Sequence, residues 1–572
     1  MKLKNKARTK SGLPFPVSFL INLGLILLGA VLFALSFPNP LFKNGLAALG
    51  WVVYIPVFIV IRRTKAGECV FFGALYGFSS YSLFNYWLSA FDPLAGLLLN
   101  ALYLCYYAVL FSLLRFTITL FPRSYYIVQW ILWICFEYIR TLGFLGYSYG
   151  ISGYSQWNII PVIQIADIFG VWGVSALVVF PSVFLAFLLG NRKAAAGVLR
   201  GEPPQRGAAE KLCFKAGGEA SPLMVLRPLC PLIIWLAALA ASLGYGFVSR
   251  AEYTDKRMVN IALVQHNVDP WIGGIEQYQE NFYILKRLSE EALAQRPKPE
   301  LVVWPETAFV PMIAWNLYYK KDAETYNLVR ELLDFFKEQD TPFVIGNDDG
   351  QWIETIGESS LIDYNAAILF ERGEMAGIYH KQHLVPFSEY FPYEKELPFI
   401  YDALVKADVH FWSKGTTPTV FSTQGFSFST PICFEDGFGD ISRDFTRNGA
   451  ECLVNMSNDA WAHSLSAQMQ HLAMSVFRAV ENRRSVLRST TSGQSCGIDP
   501  NGRILAMAEP FTETSLTVAL PLNDTESFYT IHGDFLPRIF LISGLVMLIC
   551  GLGVKGIRVL TRKPLIKGSR VG

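Results

Sequence analysis

Long apolar runs constrain this chain more than any other feature, because about 20 apolar residues in helical form are enough to cross the hydrocarbon core of a bilayer. Segments that meet or approach that length lie near residues 15–36, 44–61, 69–90, 95–121, 125–142, 161–190 and 229–248, with one more near 536–554. None shows the polar alternation of a half-buried strand, and the Gly and other small residues within them suit close helix packing. Residues 250–530 read instead as an ordinary globular sequence. The 572-residue chain averages the two, with 52% apolar and 17% charged residues, against roughly 25% charged in soluble proteins. The predicted organisation is a polytopic helical membrane bundle of about eight spans carrying one α/β domain. Seven spans fall in residues 1–249, the globular domain in 250–530, and the last span with a tail in 531–572.

Basic residues orient the spans, since Lys and Arg collect in cytoplasmic connections. The N-terminus holds Lys2, Lys4, Lys6, Arg8 and Lys10, and the second connection holds Arg62, Arg63 and Lys65. The fourth has Arg123, the sixth (residues 191–228) has seven Lys or Arg, and the tail has Lys555, Arg558, Arg562, Lys563, Lys567 and Arg570. The first and third connections hold only Lys43 between them. Both termini are therefore expected inside and residues 250–530 outside the cytoplasm. The first apolar run is too long for a signal-peptide core and lacks a small-residue cleavage site, so it reads as an uncleaved span. The Gly-, Ala- and Pro-containing sixth connection reads as a disordered loop. Glu137 and Arg140, three residues apart at the end of the fifth run, predict a structural ion pair near the interface. A net charge of +2 offers no basic face for nucleic acid.

Nine cysteines are scattered without a CxxC, which argues against zinc or dithiol chemistry. The globular segment holds Cys433, Cys452 and Cys496, an odd number that leaves at least one thiol free outside the cytoplasm. Short apolar, β-rich runs at 258–265, 301–304, 343–346, 366–370 and 452–455 read as buried strands, and 278–294 and 323–339 as helices between them. That mixture predicts a layered α/β domain.

Three motifs stand at or just after such strands: Trp304-Pro305-Glu306-Thr307, the stretch from Tyr379-His380-Lys381 through Leu384-Val385-Pro386-Phe387 to Glu389-Tyr390, and Thr430-Pro431-Ile432-Cys433-Phe434-Glu435-Asp436. Singly, a carboxylate after Pro is commonly a cap and a cysteine after a strand is commonly core. His380 and His383 have ligand-like spacing but no helical acidic or thiol partner, which predicts a surface pair and no metal site.

Taken in this order and spacing, the motifs resemble the nitrilase (carbon-nitrogen hydrolase) superfamily. With the surrounding spans they resemble, more narrowly, the apolipoprotein N-acyltransferase family. The resemblance extends to Val264-Gln265-His266-Asn267 with Trp271, to Tyr364-Asn365, to Ser457-Asn458-Asp459-Ala460-Trp461, and to Glu137 and Arg140 followed by Gly153-Tyr154-Ser155-Gln156. Phe434 departs from it, standing where a tyrosine is common. The resemblance implies an α-β-β-α sandwich with a Glu306-Lys381-Cys433 triad, in the inner membrane of a bacterium with the sandwich periplasmic. It implies transfer of an acyl chain from phospholipid, through a thioester on Cys433, to the N-terminal amine of a diacylglyceryl-cysteine apolipoprotein, with no cofactor. Glu306 would serve as general base, and Lys381 with the Phe434 N–H would hold the oxyanion. Glu389 and Glu435 would orient Lys381 and the cysteine loop, with Trp271 and Asn365 beside the substrate. The alternatives are a membrane-tethered nitrilase-type amidase and a ligand-binding transporter or scaffold. The stretch rich in Phe387, Tyr390, Phe391, Phe399 and Tyr401 fits a lipid better than a small amide.

Overall fold

The computed structural model describes residues 15–190, 230–355, 358–406 and 409–560. The basic clusters at residues 2–10, in the 191–228 connection and beyond residue 560 lie outside the described residues.

Helices occupy every one of the apolar segments. Among the described residues five are long and apolar enough to cross a membrane: Phe15–Ser36, Pro93–Leu120, Ala166–Gly190, Cys230–Val248 and Phe535–Ile557. The others depart from the simple expectation of eight full spans. The second segment is broken into Ala47–Gly50 and Ile55–Arg63, the latter with a proline in its first turn. The third, Ala66–Phe84, has the length but is diluted by Gly, Ser and Tyr. Its Gly77 lies against the helix Pro93–Leu120, where a Cβ would come within 2.2 Å of the Tyr103 carbonyl oxygen. That close approach explains the small residue. The fifth, Tyr125–Ile139, has 15 residues and so spans about 22 Å at the helical rise, short of a bilayer core of about 30 Å.

The globular segment folds into two six-stranded sheets. In the first, β1 (Met258–Gln265), β2 (Leu301–Val303) and β3 (Phe343–Thr355) run parallel, β4 (Glu358–Glu371) folds back antiparallel to β3, and β5 (Glu374–His380) is antiparallel to β4. In the second, β7 (Phe426–Ser429), β8 (Cys452–Ser457) and β9 (Ser485–Thr490) run parallel. They are flanked by antiparallel β6 (Phe421–Thr423) on one side and β10 (Cys496–Ile498) and β11 (Ile504–Met507) on the other. The chain then returns to the first sheet as β12 (Thr514–Pro521), antiparallel to β1.

Side chains alternate across a strand, so each buried strand feeds two apolar layers. Val259, Ile261 and Leu263 of β1 join the core shared with the second sheet, whereas Ala262 and Val264 face the helices Ile275–Leu293 and Ala323–Lys337. Helices Gly439–Arg447 and Leu465–Asn482 cover the outer face of the second sheet. The result is an α-β-β-α sandwich.

Helix Leu465–Asn482 also positions the sandwich on the bundle. Every residue from Ser466 to Asn482 is buried, because the sheet covers one face and helix Ala166–Gly190 the other. Polar pairs tie this junction. Gln470 donates to the Pro38 and Phe84 carbonyls and accepts from Trp87 Nε1. The Val171 N–H donates to Glu481 Oε1 at 2.9 Å, and Arg483 reaches Asp167.

Candidate active site

Chemistry gathers where the parallel strands end, the usual place for a site in open α/β sheets. Past β2, Trp304 continues the pairing by donating to the Val344 carbonyl, and its buried indole donates to Ser289 Oγ at 2.9 Å. Glu306 follows, with Thr307 in the left-handed region at φ 47°. The backbone there presses on β3: a Cβ on Gly346 would lie 2.5 Å from the Pro305 oxygen and 2.6 Å from Glu306 Cα. Gly346→Ala is therefore expected to displace Glu306, cutting any activity that depends on that carboxylate by about 10²-fold, the scale of a small misplacement at a reacting centre. Turnover in membranes checks this, and turnover within a few-fold of the unaltered protein would contradict it.

Lys381 stands just past β5, its N–H donating to the Asn365 carbonyl and its own carbonyl accepting from Gly415. Cys433 comes just past β7, after Ile432 bridges to Met456, and opens the 3-10 turn Cys433–Gly437 at φ 50°. A non-glycine residue held in that region costs of order 1–3 kcal/mol and marks a site where geometry is imposed.

The side chains converge. Lys381 Nζ lies 3.1 Å from Glu306 Oε1 and 2.8 Å from Glu389 Oε1, with no exposure of the lysine. Asn365 Nδ2 donates to Glu306 Oε1 at 2.9 Å and the Asn458 N–H to Glu306 Oε2 at 3.0 Å, so both carboxylate oxygens are fixed. Glu389 Oε2 accepts from the Val385 N–H, which anchors the loop after Lys381. Burial opposes the ammonium, but Glu306 and Glu389 outweigh it and hold Lys381 well above the usual lysine range. Burial and then the Glu306 carboxylate push the Cys433 thiol well up, against the pull of Lys381. Burial and Glu306 thus favour the protonated sulfur, so a reaction at this sulfur would require a nearby carboxylate to take the proton.

Glu435 fastens the two loops together. Its carboxylate accepts from the Ile432, Gln382 and His383 N–H groups and from Tyr379 OH. Burial raises this carboxyl to about 7 despite those donors. Phe434 packs against Tyr147, His383 and Phe438.

Trp271 lies farther out. It is 65% exposed and touches none of these groups; its ring meets Phe91, from which aromatic contacts run through Trp461 and Trp87 to Tyr149. On another side Phe144 packs on Phe387, Tyr390 and Tyr393. Phe391 is buried and Phe399 is exposed. Tyr149 in turn stacks on Tyr147, which meets Phe434 beside Cys433.

Two sequence expectations need correction. Glu137 and Arg140 make no direct ion pair; each fastens the loop beneath the site. Glu137 accepts from the Ser152 N–H and Trp133 Nε1, and Arg140 donates to Tyr103 OH and the Tyr147 and Tyr149 carbonyls. His380 and His383 are not a surface pair. His380 stacks on Tyr364 and meets Asp349 Oδ2 at 2.9 Å. The His383 ring lies on Phe438, and burial pushes it down to about 4. Sequence reasoning gave no role to His471, Asp459 or Arg488, which lie buried behind Cys433. Asn458 and Asp459 appeared only within a family-like block, the one signal that pointed to them.

The carbon-nitrogen hydrolase family model matches residues 260–530, and that of the apolipoprotein N-acyltransferase N-terminal domain matches residues 29–184. The chain is 43% identical to apolipoprotein N-acyltransferase 1 of Treponema denticola, over 94% of this chain and 98% of the relative. It is 42% identical to apolipoprotein N-acyltransferase 1 of Treponema pallidum, over 92% and 95%. It is 30% identical to apolipoprotein N-acyltransferase of Geobacter metallireducens, over 89% and 91%. Among solved structures it is similar to a nitrilase-superfamily amidase from Nesterenkonia (TM-score 0.33, 20% identity, 46% of this chain and 92% of that one). Two family models, one matching residues 29–184 of the bundle and one the sandwich, and relatives aligned over nearly the whole length, make this chain a multi-pass membrane member of the apolipoprotein N-acyltransferase family.

Proposed function

We propose that the chain transfers an acyl group from a phospholipid to the α-amino group of a diacylglyceryl-cysteine at the N-terminus of an apolipoprotein, through a thioester on Cys433. The observation that carries this is the convergence of Glu306, Lys381 and the Cys433 turn beside a membrane bundle. Glu306 takes the thiol proton as sulfur attacks the ester carbonyl, and Lys381 with the Phe434 N–H holds the oxyanion. Collapse of the tetrahedral intermediate breaks the ester C–O bond, and Glu306 returns the proton to the departing lysophospholipid hydroxyl. The lipoprotein amine then attacks the thioester, gives a proton to Glu306, and leaves as an amide while the thiol is restored. Trp271 and the aromatic side chains that link it to Phe434 would guide the lipid chain, and Asn365 keeps Glu306 facing Lys381. Purified protein given phospholipid and a diacylglyceryl-cysteine peptide should yield the N-acyl peptide and lysophospholipid in equal amounts by mass spectrometry. Hydrolysis of small amides without peptide acylation would overturn the reading in favour of an amidase.

The domain plan of residues 1–249, 250–530 and 531–572, with the sandwich periplasmic on a bacterial inner membrane, belongs to the same proposal. It is supported by the basic-residue asymmetry. A reporter that works only after export, fused after Asn523, should be active. Activity only of a cytoplasm-dependent reporter at that point would reverse the topology.

A further inference from the structure

Behind the Cys433 turn lies a buried polar chain that the proposed reaction does not use. His471, on helix Leu465–Asn482, places Nε2 3.0 Å from the Cys433 carbonyl oxygen and 4.0 Å from Asp436 Oδ2. Both neighbours are oxygen acceptors, so Nε2 carries a proton and donates to the carbonyl. The other nitrogen, Nδ1, lies 3.0 Å from Asp459 Oδ1 and 3.2 Å from Arg488 Nη2, and the direction of the Nε2 bond is the same with either partner. Asp459 also accepts from Ser457 Oγ at 2.9 Å and Arg488 Nη2 at 3.1 Å. Arg488 Nη1 donates to Asp436 and Ser475. Burial would raise the Asp459 carboxyl, but His471, Arg488 and Ser457 hold it down at about 2. His471 is thus clamped from behind, with little freedom to leave the Cys433 oxygen.

We infer that His471 is a positioning residue for acyl transfer: by holding the Cys433 carbonyl it aims the Phe434 N–H at the oxyanion. This rests on the acyl-transfer reading above. A trans peptide is planar, so the carbonyl of Cys433 and the N–H of Phe434 share one plane and point in opposite directions. Fixing one fixes the other. The left-handed φ of 50° at Cys433 is a conformation the chain would relax from unless it were tied on its far side, and His471 supplies that tie. A hydrogen bond to the carbonyl also polarises the amide and strengthens its N–H as a donor.

The test uses the full-length protein in phospholipid vesicles and follows two reactions of Cys433. Thioester formation develops an oxyanion; alkylation by iodoacetamide, a displacement at saturated carbon, does not. His471→Leu should slow thioester formation by about 10- to 10²-fold, approaching the loss of one oxyanion donor, with the phospholipid KM nearly unchanged. Alkylation should stay near the unaltered rate. His471→Gln, whose amide reaches about as far as Nε2, should recover most of the thioester rate, and the shorter His471→Asn should not. Equal thioester rates in His471→Leu and the unaltered protein would overturn the inference. So would a parallel fall in alkylation, because the histidine would then be holding the thiol itself. If His471→Leu fails to fold, the Gln and Asn variants decide, and equal rates in those two overturn it. Absence of thioester in the unaltered protein, with alkylation intact, overturns the acyl-transfer reading first and the inference with it.

Discussion

Cys433→Ala is expected to abolish acyl-enzyme formation altogether, while Cys452→Ala and Cys496→Ala leave it near the unaltered level. Incubation with phospholipid alone should load one acyl group that hydroxylamine removes, the covalent half of a two-step transfer. Cys452 and Cys496 lie fully buried within β8 and β10, and burial pushes both thiols up, Cys496 to about 12. Neither is accessible to a lipid ester. Cys433 is also raised, but it sits on a strained turn among Glu306, Lys381 and Glu389, which enter its electrostatics directly. Because the resting sulfur is protonated, a base is required, and Glu306→Gln should slow loading by about 10²- to 10⁴-fold. A thiolate already formed at rest would be far less sensitive to that change. Label remaining in Cys433→Ala, or found on another cysteine peptide, would rule out the mechanism.

The sandwich was legible where strands announce themselves locally. The runs at 258–265 and 301–304 became β1 and β2 almost unchanged, since both are rich in β-branched and apolar residues. β3 extends well beyond the apolar run at 343–346, through Asn347-Asp348-Asp349-Gly350, residues that signal a turn locally. Pairing with β4, Asp348 opposite Asn365 and Asp349 opposite Tyr364, overrides that preference. β9 escaped notice because Arg488 interrupts it, and a buried arginine is tolerable only beside Asp436 and Asp459, distant in sequence. Helix Leu465–Asn482 was missed for a related reason. Being covered on both faces, it carries Gln470, His471, Arg478 and Glu481 inside, where an amphipathic helix would show them outside. Glu306, Lys381 and Cys433 were each legible as a motif after a strand. The supports that fix them, from the Asn458 N–H, Gly346 and His471, depend on which chain segments meet, and no local pattern encodes that.

Lys381→Met is expected to damage stability and activity together, because it removes charge from a place that holds two carboxylates. The ammonium is fully buried and meets Glu306 at 3.1 Å and Glu389 at 2.8 Å. Breaking a buried pair from one side typically costs about 3–5 kcal/mol, since the partner is left uncompensated. Here one of the carboxyl groups would take up a proton to relieve the repulsion. Protonation of Glu306 would remove the base, and the oxyanion would lose its cation, so loading should fall by more than about 10³-fold. Lys381→Arg keeps the charge but substitutes a planar fork for a compact ammonium, and should recover stability without recovering activity. The double change Lys381→Met with Glu389→Gln separates these effects. Removing the second carboxylate should restore part of the thermal stability in detergent, while thioester formation stays lost. Glu389→Gln alone should weaken the hold on Lys381 and on the Val385 N–H, with a smaller loss of rate. Thermal unfolding and acyl loading measured on the same set of variants check both halves. Substantial loading by Lys381→Met would mean that the backbone donor alone sustains the oxyanion, and the lysine would then have only a structural part.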